Sequence, residues 1–204
     1  QALADNWAGA EKLRLRIRKS DHKHGNGDAG TDALLVRLAN DLGRMINGRP
    51  NVRGGFFHAS SHPARQFIEL GKLTGATPDG RCAGDEFSKN MSPTPGMDRR
   101  GPTALIQSVT RVDSRVFPAD FCLDLMLIPA AVSGEEGLAA MRGLLETYFS
   151  RHGLALNINV FDAAQLERAI EHPEEHEGLQ VRVCGWNARF NDMVHPEKLA
   201  YVER

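Results

Sequence analysis

The sequence predicts an α/β fold, and three observations in its second half carry that expectation. Residues 122–128 form an apolar run stopped by Pro129, the pattern of a buried strand. Leu154, Leu156, Ile158 and Val160 alternate with Ala155, Asn157 and Asn159, the two-residue period of a second strand. Between them Leu138, Met141, Leu145, Tyr148 and Phe149 fall along one helical stripe, opened by Ser133 with Glu136 three residues later, as in a capping box. Strand, helix and strand in this order make a parallel crossover, the unit of an α/β barrel-like sheet. Two or three strands are too few to close a barrel. The chain therefore reads as an incomplete portion of such a barrel, with unpaired sheet edges and exposed apolar surface that leave it marginally stable in isolation.

The other elements follow from local pattern. Leu3, Trp7, Ala10, Leu13 and Ile17 stand at three- and four-residue steps, so residues 2–19 are expected to be one helix. Its basic run, Arg14, Arg16, Arg18 and Lys19, alternates with apolar residues and reads as a helix face. A polar, glycine-broken loop spans 21–30. Thr31 is expected to cap a second helix carrying Leu34, Leu35, Leu38, Leu42 and Met45. Residues 51–59, rich in glycine and phenylalanine, read as extended, and 63–73 as helix. Residues 75–101 hold many glycines and prolines and form a long irregular loop, of the kind that is functional or pinned by packing. Pro102 suits the first turn of a helix reaching about residue 112. After the crossover come a short helix over 161–171, an extended stretch over 180–184 and a last helix over 196–203.

Composition narrows the function classes. Twenty-five basic and 26 acidic residues in 204 give a formal net charge of −1, so nothing points to nucleic acid or to an acidic membrane surface. No apolar stretch is long enough to span a bilayer, and no signal peptide heads the sequence. Three widely spaced cysteines, an odd count without a metal-type pair, suit a reducing cytoplasm.

The most informative stretch is Val181-Arg182-Val183-Cys184-Gly185-Trp186-Asn187-Ala188-Arg189-Phe190-Asn191. It resembles the radical loop of glycyl radical enzymes, an Arg-Val-x-Gly-aromatic string whose glycine stores an unpaired electron on its α carbon. The chemistry asks for glycine. Loss of the α hydrogen leaves a planar carbon between an electron-donating nitrogen and an electron-withdrawing carbonyl, and a side chain would crowd that planar form. The plain alternative is a strand ending in a glycine turn before a helix.

Other blocks extend the resemblance. Leu156-Asn157-Ile158-Asn159-Val160-Phe161, Asp162-Ala163-Ala164-Gln165-Leu166 and His172-Pro173-Glu174-Glu175 resemble the segment preceding the radical loop in pyruvate formate-lyase and its relatives. Thr74-Gly75-Ala76-Thr77-Pro78-Asp79-Gly80-Arg81 resembles a second family signature, followed by Ser88-Lys89-Asn90, Gly96-Met97-Asp98 and Gly101-Pro102-Thr103-Ala104-Leu105-Ile106 in family order. Weaker likeness continues through Asn6-Trp7, His24-Gly25-Asn26 and Asn47-Gly48-Arg49-Pro50. Two regions result: 1–73, a mostly helical end of the barrel region, and 74–204, the glycyl radical domain with its loop near 181–191.

Family members are several times longer and carry a catalytic cysteine in a Cys-x-Glu-like loop ahead of the region matched. Cys82, Cys122 and Cys184 have no glutamate two residues on, and all follow the Thr74 block. The chain thus resembles the carboxyl-terminal portion of a glycyl radical enzyme α/β barrel, inactive alone. The resemblance implies a radical at Gly185, installed by an activating enzyme that cleaves S-adenosylmethionine at an iron-sulfur cluster. It further implies a missing amino-terminal part of the same enzyme with the thiyl-forming cysteine, a small-molecule substrate and a homodimer at full length. No bound cofactor and no metal are expected. Arg182, Val183 and Trp186 are expected to support the loop, and Cys184 to be a small buried neighbour.

For the reaction, the Arg189-Phe190-Asn191 tail resembles pyruvate formate-lyase, and a formate acetyltransferase-type enzyme is the first reading. The Cys-Gly-Trp core and the block at 87–90 resemble dehydratases and decarboxylases, so a diol or hydroxyproline-type dehydratase is the second. A stand-alone repair subunit is the third, although the repair proteins of this type lack the Thr-Pro-Asp-Gly-Arg block. Other residues weigh less. His22 and His24, near Asp21 and Asp28, read as solvated rather than metal-binding, and His58 and His62 flank Ser60-Ser61 without a nucleophile elbow.

Overall fold

The structure is a computed structural model that describes residues 1–62, 66–183 and 185–202. Its centre is a parallel pair, β1 (Cys122–Leu127) and β2 (Ala155–Val160), in register from Cys122↔Ala155 to Leu127↔Val160. The connection is helix α5 (Gly134–Ser150), so the predicted crossover is present. One face of β1 places Leu123, Leu125 and Leu127 in an apolar cluster. They meet Leu105, Ile106 and Val109 of helix α4 (Gly101–Val109), Tyr148 of α5, and Leu156 and Ile158 of β2. Met126, on the opposite face of β1, packs against a second cluster of Phe161, Leu166, Ala169, Val181, Phe190 and Tyr201. Both faces of this small sheet are therefore covered, as a parallel pair requires.

The second cluster is built by helix α6 (Ala163–Glu171), the antiparallel hairpin β3 (Gln180–Val183) and β4 (Trp186–Arg189), and helix α7 (His195–Val202). Asp162 caps α6 by accepting the Gln165 N–H at 2.6 Å. Helix α2 (Ala29–Ile46) packs on the first cluster through Leu35, Val36 and Ala39, while α1 (Glu11–Arg18) and α3 (Gln66–Lys72) meet the loop that follows residue 74, Arg14 donating to the Gly80 carbonyl and Phe67 accepting the Phe87 N–H. Residues 63–65 and Cys184 lie outside the described residues, so the amino-terminal start of the predicted 63–73 helix and the surroundings of Cys184 do too.

Several expectations need correction. The first helix does not begin at residue 2. Asn6 and Trp7 have φ of 50° and 69°, a left-handed conformation that a helix cannot contain. The break lets the Trp7 indole donate to the Arg81 carbonyl at 3.0 Å and lets Asn6 accept the Ala83 N–H at 2.7 Å. Helix α2 is capped by Asp28, which accepts the Thr31 N–H at 2.7 Å; Thr31 lies inside it. Its inward face is Asp32, Leu35, Val36, Ala39 and Gly43, whereas Leu34, Leu38 and Met45 are 61%, 55% and 65% exposed. The Ser133–Glu136 capping box does not form, since the Ser133 hydroxyl donates to the Ala130 carbonyl at 3.2 Å. The α5 stripe is likewise rotated: Tyr148 is buried but Leu138 and Phe149 are exposed.

The expected exposed apolar surface is present on α2, and of the two sheet edges that of β1 is not bare. The outer edge of β1 is met by Met91, whose N–H donates to the Cys122 carbonyl at 2.9 Å, and by the Ser92 hydroxyl, which bonds both the N–H and the carbonyl of Asp124. These partners come from the long loop over 75–100, which is pinned as predicted. Arg81 is its main pin. Its guanidinium is buried, stacks on the Phe87 ring at 4.6 Å, and donates to the carbonyls of Asp85 (2.6 Å), Thr74 (3.2 Å) and Gly75. The Asn26 amide ties a second loop down, donating to the Met97 carbonyl at 2.7 Å and accepting the Arg99 N–H at 3.0 Å.

Candidate functional site

The run around Gly185 forms the β3–β4 hairpin, with Val183 paired to Trp186 across a two-residue turn. Residue 185 is thus followed by a strand, so the plain strand-turn-helix alternative is not what forms. Gly185 has φ of +93°, a backbone state that costs a residue with a side chain strain it does not cost glycine. A Cβ placed there would meet nothing within 4 Å, so close packing inside this chain is not what demands glycine. The demand that the fold makes comes from the backbone angle.

Besides the burial of Val181 in the second cluster, the hairpin is tied to the rest of the chain at Arg182, through its backbone. Asn159 of β2 accepts the Arg182 N–H at 2.7 Å and donates to the Arg182 carbonyl at 3.3 Å. Tyr201 of α7 donates its hydroxyl to the same carbonyl at 3.0 Å. The side-chain amide of Asn159 thereby takes the place of a neighbouring strand's peptide group. By contrast the Arg182 guanidinium makes an exposed contact with Asn187 at 3.2 Å.

Behind Tyr201 lies a buried polar chain. The Lys89 ammonium donates to the Tyr201 hydroxyl at 3.3 Å, sits 5.2 Å from the centre of that ring, and pairs with Asp124 at 3.3 Å. Lys89 and Asp124 are each 4% exposed, so neither charge is tolerable there without the other. Asp124 also accepts from Asn157 at 3.1 Å and from the Asn90 amide. A polar path therefore runs from the middle of β1 through Lys89 and Tyr201 to the peptide three residues before Gly185. Beside it, at the carboxyl ends of β1 and β2, opens a cleft of about 360 Å³ lined in part by Ser92, Asp98, Asp124, Met126, Phe161 and Asp162.

Of the expected support residues, Arg182 contributes mainly its backbone. Val183 contributes its strand position, and its side chain lies outside the described residues. Trp186 is 60% exposed, so packing within this chain is not what fixes the turn. Sequence reasoning missed Asn157, Asn159, Asp124, Lys89 and Tyr201. A signal existed for two of these: a carboxylate inside an apolar strand run, and a lysine that must answer it. Cys82 is half-buried, and Cys122 is buried with its sulfur accepting from the Asn157 amide at 3.2 Å.

The other candidates are not brought together. His22 lies 3.3 Å from Asp28, while His24 faces Asp32 at 3.5 Å and the Met91 carbonyl at 2.9 Å. The Ser61 hydroxyl is turned to the Asp120 carbonyl, and His62 to the Asp120 carboxylate at 2.8 Å. Among the described residues, the grouping with metal-ligand spacing is the exposed His172, Glu174 and Glu175. No helix among them is long and apolar enough to cross a membrane.

Comparison with known proteins fits this geometry. The family model described as Glycine radical matches residues 87–191, just over half of the chain. Trans-4-hydroxy-L-proline dehydratase of Clostridioides difficile is 33% identical over 95% of this chain and 24% of its own length. The PFL-like enzyme TdcE of Escherichia coli K12 is 30% identical over 89% of this chain and 25% of its own. The glycerol-bound structure of the B12-independent glycerol dehydratase from Clostridium butyricum superposes with a TM-score of 0.93 at 30% identity, covering 100% of this chain and 26% of that one. The chain thus spans about a quarter of the length of the proteins it matches.

Proposed function

The chain belongs to the glycyl radical enzyme family, and from that premise we propose that Gly185 is its radical-storage residue. The observation that carries the reading is the placement of Gly185: it forms the tip of a tight hairpin, at φ +93°, with open space over its α carbon. A hydrogen atom is taken from that carbon by an activating enzyme that cleaves S-adenosylmethionine. The stored spin is then used through a cysteine supplied by the rest of the polypeptide. The chain's own work is to hold the glycine in one geometry, since the reactivity belongs to the radical.

For the reaction, a dehydratase is supported above the formate acetyltransferase expected first from the sequence. Two of the three relatives above are dehydratases, and these match the larger shares of the chain. The substrate class proposed is a small polyhydroxylated or hydroxylated molecule that loses water. The PFL-like relative keeps the acyl-transfer reading as second choice.

The test uses the complete polypeptide with its activase, under anaerobic conditions. A doublet electron paramagnetic resonance signal is expected, lost completely in Gly185→Ala, with backbone cleavage at 185 on exposure to oxygen. A signal that survives Gly185→Ala would remove the assignment. Assays for aldehyde or imine release from hydroxylated substrates, against formate release from pyruvate and coenzyme A, decide between the two reactions.

A further inference from the structure

We infer that Asn159 of β2, and Tyr201 seated on the buried Lys89–Asp124 pair, are positioning residues that set the place of the Gly185 turn. The inference rests on the reading of Gly185 above, and goes beyond it by naming what holds the turn.

Three features support it. First, the Arg182 peptide is bonded on both its N–H and its carbonyl by side chains from two different elements, β2 and α7. A strand edge held in this way is located by a few hydrogen atoms instead of by a continuous ladder. Second, the Tyr201 hydroxyl has its direction fixed: it accepts from Lys89 and so has its own hydrogen free to give to Arg182. Third, Lys89 is itself fixed by Asp124, which stands in β1, the strand at the centre of the chain. Position is thereby transmitted from β1 to the turn through three side chains, Asp124, Lys89 and Tyr201, and from β2 directly through Asn159. An apolar contact would not do the same work, because dispersion has little directional preference.

The experiment compares Asn159→Ala and Tyr201→Phe with the unaltered complete polypeptide, by amide hydrogen exchange followed by mass spectrometry and by spin yield after activation. Each variant removes hydrogen bonds of the usual strength, so exchange across the hairpin, 180–189, is expected to rise about tenfold. Exchange across 121–127 stays unchanged, and spin yield falls in the same order as hairpin protection. Tyr201→Phe loses one hydroxyl alone and keeps the ring, so it serves where Asn159→Ala does not fold. An unchanged hairpin overturns the inference. So does an equal rise in both segments, which would mark these residues as merely structural. If the unaltered protein gives no spin, the Gly185 reading fails, whereas the exchange result still judges the positioning claim separately.

Discussion

Strand β1 is fixed by the burial of Leu123, Leu125 and Leu127, whereas strand β3 buries Val181 and is held besides where the Asn159 amide and the Tyr201 phenol direct their hydrogen bonds to Arg182. The two regions lie side by side, yet they rest on different balances of force. Burial scales with area and tolerates exchange among apolar side chains of similar size. A side-chain amide that stands in for a peptide has no substitute of the same shape. The difference separates the roles of the two regions: one supplies free energy to the whole chain, and the other supplies a location to a single turn.

The largest expected effect tests the first half of that contrast. Leu123 is fully buried in the apolar cluster, so Leu123→Ala should lower the unfolding free energy by about 2–5 kcal/mol and raise amide exchange in every element. Chemical denaturation checks this. A response confined to the hairpin would mean that the two regions are not held separately.

A smaller effect follows from Tyr148, which is fully buried and donates to the Ala155 carbonyl at 2.8 Å. Burial pushes its phenol well above the ordinary tyrosine range. Below about pH 10 the group is neutral in both folded and unfolded chains, and pH has no leverage through it. Above that pH the unfolded chain releases the proton while the folded chain keeps it. Stability should therefore fall with rising pH, by about 1.4 kcal/mol per unit, and Tyr148→Phe should flatten the slope. Urea midpoints between pH 9 and 11 measure it.

The smallest effect sharpens the second half. The Arg182 guanidinium has an exposed bond to Asn187, so Arg182→Ala should cost under about 1 kcal/mol and leave hairpin exchange nearly unaltered. A large rise there would return the supporting role to the side chain.

These contrasts also explain what was legible in the sequence. The apolar run of β1 and the alternation of β2 are periodic, and period is what a sequence displays directly. Gly185 became a candidate because a glycine-centred string resembles a known loop. The asparagines of β2 were visible only as the polar half of an alternation, which normally means solvent; here that face is buried against the hairpin. Likewise the face of α2 was misjudged, because Leu34, Leu38 and Met45 satisfy the helical period as well as the residues that turn inward. Nothing local distinguishes a side chain that meets this chain's own core from one that faces outward. Tyr201 and Lys89 stand 112 residues apart, and no window of sequence contains both.

The Arg81 guanidinium grips the peptide carbonyls of Thr74, Gly75 and Asp85 and stacks on the Phe87 ring. A cation that recognises chiefly main chain is indifferent to the identity of most residues around it. The knot should therefore admit wide variation at neighbouring positions while the path of the chain stays the same. One neighbour escapes that freedom: at Gly71 a methyl group would stand 2.4 Å from the Asp85 oxygen, inside the noose that Arg81 draws shut.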